Sequence, residues 1–167
     1  MNHFLRKAAI AATVATAAFS TVAADAAPAT ATATARARVL KQVTITNTSD
    51  LDFGTIVPGT ANGTVTVSAT GARTCGTGIT CTGASSAANF NITGTVNQVV
   101  TVTAPASVSL TSGTNSMSAT LTRSANTVTL AGGAVNGSVQ ISGALSVPSN
   151  QADGSYSGTF NVTIDYQ

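Results

Sequence analysis

The sequence predicts an all-β fold built from short antiparallel strands, a sandwich or barrel, and three observations carry that expectation. Only 7% of the 167 residues are charged and none is Glu, whereas an ordinary domain carries about a quarter. The bulk is Thr, Ala, Ser, Val and Gly, which suits pleated structure better than helix. No stretch after residue 26 keeps a helical period over about ten residues, and short apolar segments recur between Gly, Pro, Asn and Ser.

The chain opens with a segment of different character. Arg6 and Lys7 precede an apolar run over residues 8–22, and Ala24-Asp25-Ala26 is a small-x-small site, so residues 1–26 read as a secretory signal peptide cleaved after Ala26. Thr13, Thr16, Ser20 and Thr21 interrupt the run, which is too short and too polar for a bilayer anchor. Export to the periplasm, the cell surface or the medium is expected, with no membrane span in the mature chain.

Residues 27–38 form an Ala/Thr-rich extension. A period of two places Ala29, Ala31, Ala33, Ala35 and Ala37 on one side of an extended chain, and methyl groups alone bury little area. From Val39 the side chains grow, and Val43 and Ile45 share a face. The β domain is expected over residues 39–167, with strands near 51–57, 64–69, 89–93, 99–103, 108–110, 117–121, 127–130, 138–141, 144–147 and 159–166. The expected core draws on Phe53, Val65, Ile92, Val100, Leu130, Val139, Ile141, Leu145 and Phe160, among others.

In an oxidising compartment Cys75 and Cys81 are expected to pair across the turn-like stretch between them. So short a loop contributes about 2 kcal/mol in the chain-entropy picture, enough to pin a hairpin locally. Zinc is the weaker alternative, because two thiolates without a histidine leave the ligand set half empty.

Function classes fall away on inventory. His3 is the one histidine and leaves with the leader, Lys41 is the one lysine after it, and Asp50, Asp52, Asp153 and Asp165 are the carboxylates of the mature chain. Triad chemistry lacks its histidine base, nearly every other candidate base is absent, and Asp50 and Asp52 sit at a turn-to-strand junction where aspartate more commonly caps backbone groups, so no enzyme and no cofactor is expected. A net charge of +2 supplies no phosphate-binding patch, which excludes a nucleic-acid partner. Asp50, Asp52 and Asn47 offer oxygens for calcium, but without the spacing of a calcium loop, and capping of a turn is the plainer role. The Asn-x-Ser/Thr triplets, Asn136 included, are read as structural in a chain so rich in Thr and Ser.

The last segment is the most informative. Tyr156, Phe160, Val162, Ile164 and Tyr166 alternate with polar residues, as a half-buried strand requires, and Gly154 and Gly158 leave gaps on the apolar side. With its penultimate aromatic Tyr166 and Gly154 ahead of it, this ending resembles bacterial chaperone-usher pilins and the spore coat protein U group. More closely, Leu51-Asp52-Phe53-Gly54 paired with Gly154-x-Tyr156-x-Gly158-Thr-Phe160 resembles an uncharacterised family of secreted bacterial proteins, known mainly as a domain of unknown function.

The pilin resemblance implies an immunoglobulin-like sandwich with an open groove. Residues Gly154, Tyr156, Gly158, Phe160, Val162, Ile164 and Tyr166 would flank that groove, and Ala29 through Ala37 with Val39 would act as donor strand. The implied partners are further copies of the chain or a periplasmic chaperone. Two departures stand out: the donor offers alanines where pilins use bulky aliphatics, and Cys75 and Cys81 are local where pilin disulfides span distant strands. The expected role is an exported, non-enzymatic subunit of a surface or coat assembly, the alternative a closed monomeric sandwich that binds a ligand or partner.

Overall fold

Residues 27–167 are described by a computed structural model, and the expected leader, residues 1–26, lies outside the described residues. The chain divides into two units, Met1–Ala37 and Arg38–Gln167. Within the first, residues 27–37 are exposed and belong to no strand.

The second unit is a β-sandwich whose strands all pair antiparallel, with no helix among the described residues. Its larger sheet holds seven strands: β1 (Thr44–Ser49), β3 (Gly63–Val67), β4 (Arg73–Cys75), β6 (Ala88–Thr93), β8 (Ser107–Ser112), β9 (Asn115–Arg123) and β11 (Gly137–Val147). A second sheet runs in the order β10 (Thr127–Thr129), β7 (Val99–Thr103), β12 (Thr163–Tyr166). A separate ribbon pairs β2 (Thr55–Val57) with β5 (Thr80–Thr82).

Strand β11 organises the larger sheet. Its first half pairs with β6 (Ile141 opposite Ala88) and its second with β3 (Leu145 opposite Val65), end to end along one edge, while β9 takes the other edge (Ile141 opposite Arg123). Alternate residues Val139, Ile141, Leu145 and Val147 are fully buried on one face, the pattern of a strand with one dry side.

Two expected strands, 138–141 and 144–147, are therefore one. The glycine between them continues the ladder opposite Val67 and Leu121. A Cβ on Gly143 would stand 2.9 Å from both Leu51 Cδ2 and Phe53 Cζ, so the missing side chain is the space those two residues occupy on the sheet. A glycine inside a strand marks close approach here, not a break.

That glycine divides the interior in two. One cluster joins Phe90, Ile92, Val100, Val102, Leu121, Leu130, Val139 and Ile141 between the sheets. The other joins Phe53, Val65, Val67, Ile79, Ala119, Leu145 and Val147 over the second half of β11. Ile79, Ala87, Ala88 and Ala119 join the core beyond the residues expected from the sequence, Ile79 from inside the cysteine loop.

At the closed end Asn136 is 8% exposed and fully engaged. Its side chain accepts from Gly94 N at 2.8 Å and donates to Ala131 O and Gly133 O at 2.8 and 3.2 Å. Among the described residues no buried side-chain nitrogen or oxygen lacks a partner. Among them, too, no helix is long and apolar enough to cross a membrane.

Candidate functional site

The two signature segments, far apart in sequence, line one cavity of about 720 Å³. Leu110, Met117, Leu145 and Val147 from β8, β9 and β11 form its apolar floor. Leu51 through Pro58 forms one wall and Gln151 through Tyr156 the other.

Each wall has a local reason for its shape. Asp52 Oδ1 accepts from Gly54 N at 2.7 Å, an Asx turn that swings the chain from the edge of the larger sheet into β2. The backbone of Asp52 also exchanges bonds of 2.9 and 3.0 Å with Ser86. Asn47 Nδ2 donates to Asp50 Oδ1 at 3.0 Å, so both acidic side chains of this segment hold turns, the role foreseen beside the calcium reading. Gly54 has φ +72°, and a Cβ there would run into the Arg73 guanidinium. Arg73 uses that gap: Nη1 donates to Phe53 O and Thr82 O at 2.9 Å each, and Nη2 to Gly83 O at 3.1 Å.

One guanidinium thus ties the wall to the β2–β5 ribbon, and the disulfide Cys75–Cys81, expected from the sequence, ties the same ribbon to β4. Strand β2 pairs with β5 alone, so its other edge carries unpaired main-chain groups. On the opposite wall Tyr156 Oη donates to Ala152 O at 2.9 Å and accepts from Gln151 Nε2 at 2.7 Å, closing the loop on itself. Ser149 N donates to Asn62 Oδ1 at 2.8 Å and anchors the loop's start. Asp52 and Asp153 are the charged side chains of the lining.

The expected groove residues separate into two groups. Gly154 and Tyr156 line the cavity. Phe160, Val162, Ile164 and Tyr166 are half-buried against the first cluster instead. Between the groups the chain changes sheet. Ser157 exchanges bonds of 2.8 and 3.1 Å with Thr111 of β8, and regular pairing with β7 begins only at Thr163. The expected strand 159–166 is therefore shortened to Thr163–Tyr166, because the preceding residues cross between two partners and ladder with neither. Gly158 lies so close to the Ser109 carbonyl that a Cβ would not fit, which gives its gap a structural purpose.

Strand β12 is an edge. Thr163, Asp165 and Gln167 point their main-chain groups at β7, as the 3.1 Å bond from Gln167 N to Val99 O shows, so those of Ile164 and Tyr166 face away. Strand β1 pairs with β6 alone and is one edge of the larger sheet. The Tyr166 hydroxyl joins the two at one end: it donates to Lys41 O at 2.7 Å and accepts from Thr95 N at 2.8 Å. Lys41 N in turn donates to Thr95 Oγ1 at 2.7 Å. The expected donor residues Ala29, Ala31, Ala33, Ala35 and Ala37 are exposed, and Val39 is 92% exposed.

The sequence reading passed over Arg73, and it drew a groove beside Gly154 and Tyr156 without the Leu51–Pro58 wall. The signal for Arg73 was Gly54, a glycine that makes room for a side chain distant in sequence and so can be read only once the fold is known.

A family model described as Domain of unknown function (DUF4402) matches residues 43–166, and the chain belongs to that family. No curated protein and no solved structure matches it.

Proposed function

We propose that this protein is an exported, non-enzymatic structural subunit of a cell-surface or coat assembly, pilin-like in that copies join by adding a strand to an open sheet edge. The observation that carries this reading is the set of unpaired strand edges in a chain of very low charge. Strands β1, β2 and β12 each have one partner, and Ile164 and Tyr166 turn main-chain groups outward beside half-buried apolar side chains. Monomeric β proteins guard such edges with lysine or proline, and this chain has Lys41 as its one lysine after the leader-like segment.

The nearly uncovered Val39 and the alternating segment before it are the natural donor. Export is supported by the composition of residues 1–26 and by the disulfide, a bond at home in oxidising compartments. A periplasmic chaperone would shield the same edges before assembly.

Sedimentation of residues 27–167 across a concentration series tests the reading: mass that grows with concentration is expected, and a single monomer species at every concentration refutes it. The second reading, a closed monomer that binds a ligand or protein partner, is favoured by the cavity, whose volume of about 720 Å³ suits a small molecule.

A further inference from the structure

We infer that the cavity between the two signature segments is the acceptor for residues 38–40 of a second copy, so that copies join head to tail. This rests on the strand-addition reading and adds to it which cleft receives the arm, which residues enter, and why the contact is intermolecular.

The cleft has what an extended apolar and basic segment needs. Leu110, Met117, Leu145 and Val147 offer a dry floor, and the outer edge of β2 offers main-chain donors and acceptors along one wall. The charged side chains of the lining, Asp52 and Asp153, are both acidic.

The arm is the complement. After residue 26 the cationic side chains are Arg36, Arg38, Lys41, Arg73 and Arg123. Arg73 is committed to three carbonyls, and Arg123 to Asn126 and Ala104 O. The other three flank Val39 and Leu40, and Val39 is the most exposed large apolar side chain among the described residues. Two bulky aliphatics set between cations match an apolar floor rimmed by carboxylates. Opposite charges of this kind fix register and orientation more than they add affinity.

Reach decides between self and neighbour. Lys41 is fixed by Tyr166 and Thr95 at the start of β1, whereas the cavity wall begins at Leu51, beyond that strand's far end. A strand of 6 residues spans roughly 20 Å at about 3.3 Å per residue. Val39 is two residues from the fixed point and can move no more than about 7 Å from it. An arm held at one end cannot fill the cleft at the other end of its own domain, but it can fill a neighbour's. Donor and acceptor are then different surfaces, a heterologous contact that propagates into an open chain unless a rotation closes it into a ring.

Two full-length variants test the assignment. Val39→Asp with Leu40→Asp disables the arm. Ala152→Trp with Asp153→Arg blocks the mouth of the cleft at two exposed loop positions, and a thermal melt matching the parent shows that the fold is kept. Each variant alone is expected to sediment as a monomer, with self-association weakened at least ~10-fold, the equivalent of 1.4 kcal/mol. An equimolar mixture is expected to give one-to-one dimers and nothing longer, because one intact arm meets one intact cleft.

If the parent assembles and the blocked variant assembles equally well, the cleft is not the acceptor and strand addition elsewhere, at β1 or β12, stands. A mixture that stays monomeric while the parent assembles also overturns the pairing. A parent that is monomeric at every concentration refutes strand addition itself and this assignment with it.

Discussion

The two halves of β11 face two differently built interiors. Around Val139 and Ile141 a three-stranded sheet lies over the larger one, and Asn136 and the Tyr166 hydroxyl bind the surrounding loops with bonds of 2.7 to 3.2 Å. Around Leu145 and Val147 the cover is a three-residue-by-three-residue ribbon, one aromatic ring and a loop, and a cavity of about 720 Å³ remains. The same strand thus carries a sealed core and a core with an opening. Sealing comes from a full sheet; where a ribbon stands in for one, a crosslink and a guanidinium must hold the ribbon in place.

The sharpest way to break this contrast is to delete the same kind of side chain on both sides of Gly143. In the sealed half Ile141→Ala truncates a fully buried side chain, and should lower unfolding free energy by about 2–5 kcal/mol in denaturant titration. A loss under about 1 kcal/mol would mean that the sealed half is not close-packed. Next in size, replacing Cys75 and Cys81 by alanine should cost about 2 kcal/mol. Hydrogen exchange should then quicken in β2 and β5 and stay slow in β6 and β7. Equal acceleration throughout would show that the ribbon and the main sandwich are one cooperative unit.

The difference between the halves also explains what the sequence disclosed. In the sealed half each strand alternates cleanly, so β6, β7 and β11 were legible from Phe90, Ile92, Val100, Val102, Val139 and Ile141. Strands β4 and β5 were not, because residues 73–75 and 80–82 are polar or cysteine, and each ladders with a single neighbour over three residues, β4 with β3 and β5 with β2. Gly143 looked like a boundary because its partners, Leu51 and Phe53, lie about ninety residues earlier. The cavity was half legible: both of its motifs stood out, but their meeting depends on the pairing of β3, β9 and β11, which no local pattern encodes. The split of the C-terminal stripe at Ser157 was hidden for the same reason, since alternation continues through the change of partner.

A smaller effect tests how the sealed end is fastened. Tyr166→Phe keeps the ring but removes the hydroxyl that serves Lys41 O and Thr95 N, and should cost about 1–2 kcal/mol because both sites are partly open to water. Exchange at Thr95 should rise with it.

The smallest effect is expected in the open half. Met117 lies on the cavity floor, half-buried, with empty volume already beside it, so Met117→Ala removes contacts on one side only and opens no new enclosed void. The transfer contribution of a side chain that is half in water falls to ~1 kcal/mol or less, well below the loss at Ile141. Denaturant midpoints for the two alanine variants should therefore differ widely although the side chains are similar in size. If Met117→Ala cost as much as Ile141→Ala, the cavity would be filled in solution by something the isolated domain supplies, and the acceptor cleft would be occupied before any second copy arrives. A cost near zero together with weakened sedimentation of the full chain would place Met117 where the assignment puts it, on the floor that receives Val39 and Leu40 of a neighbour.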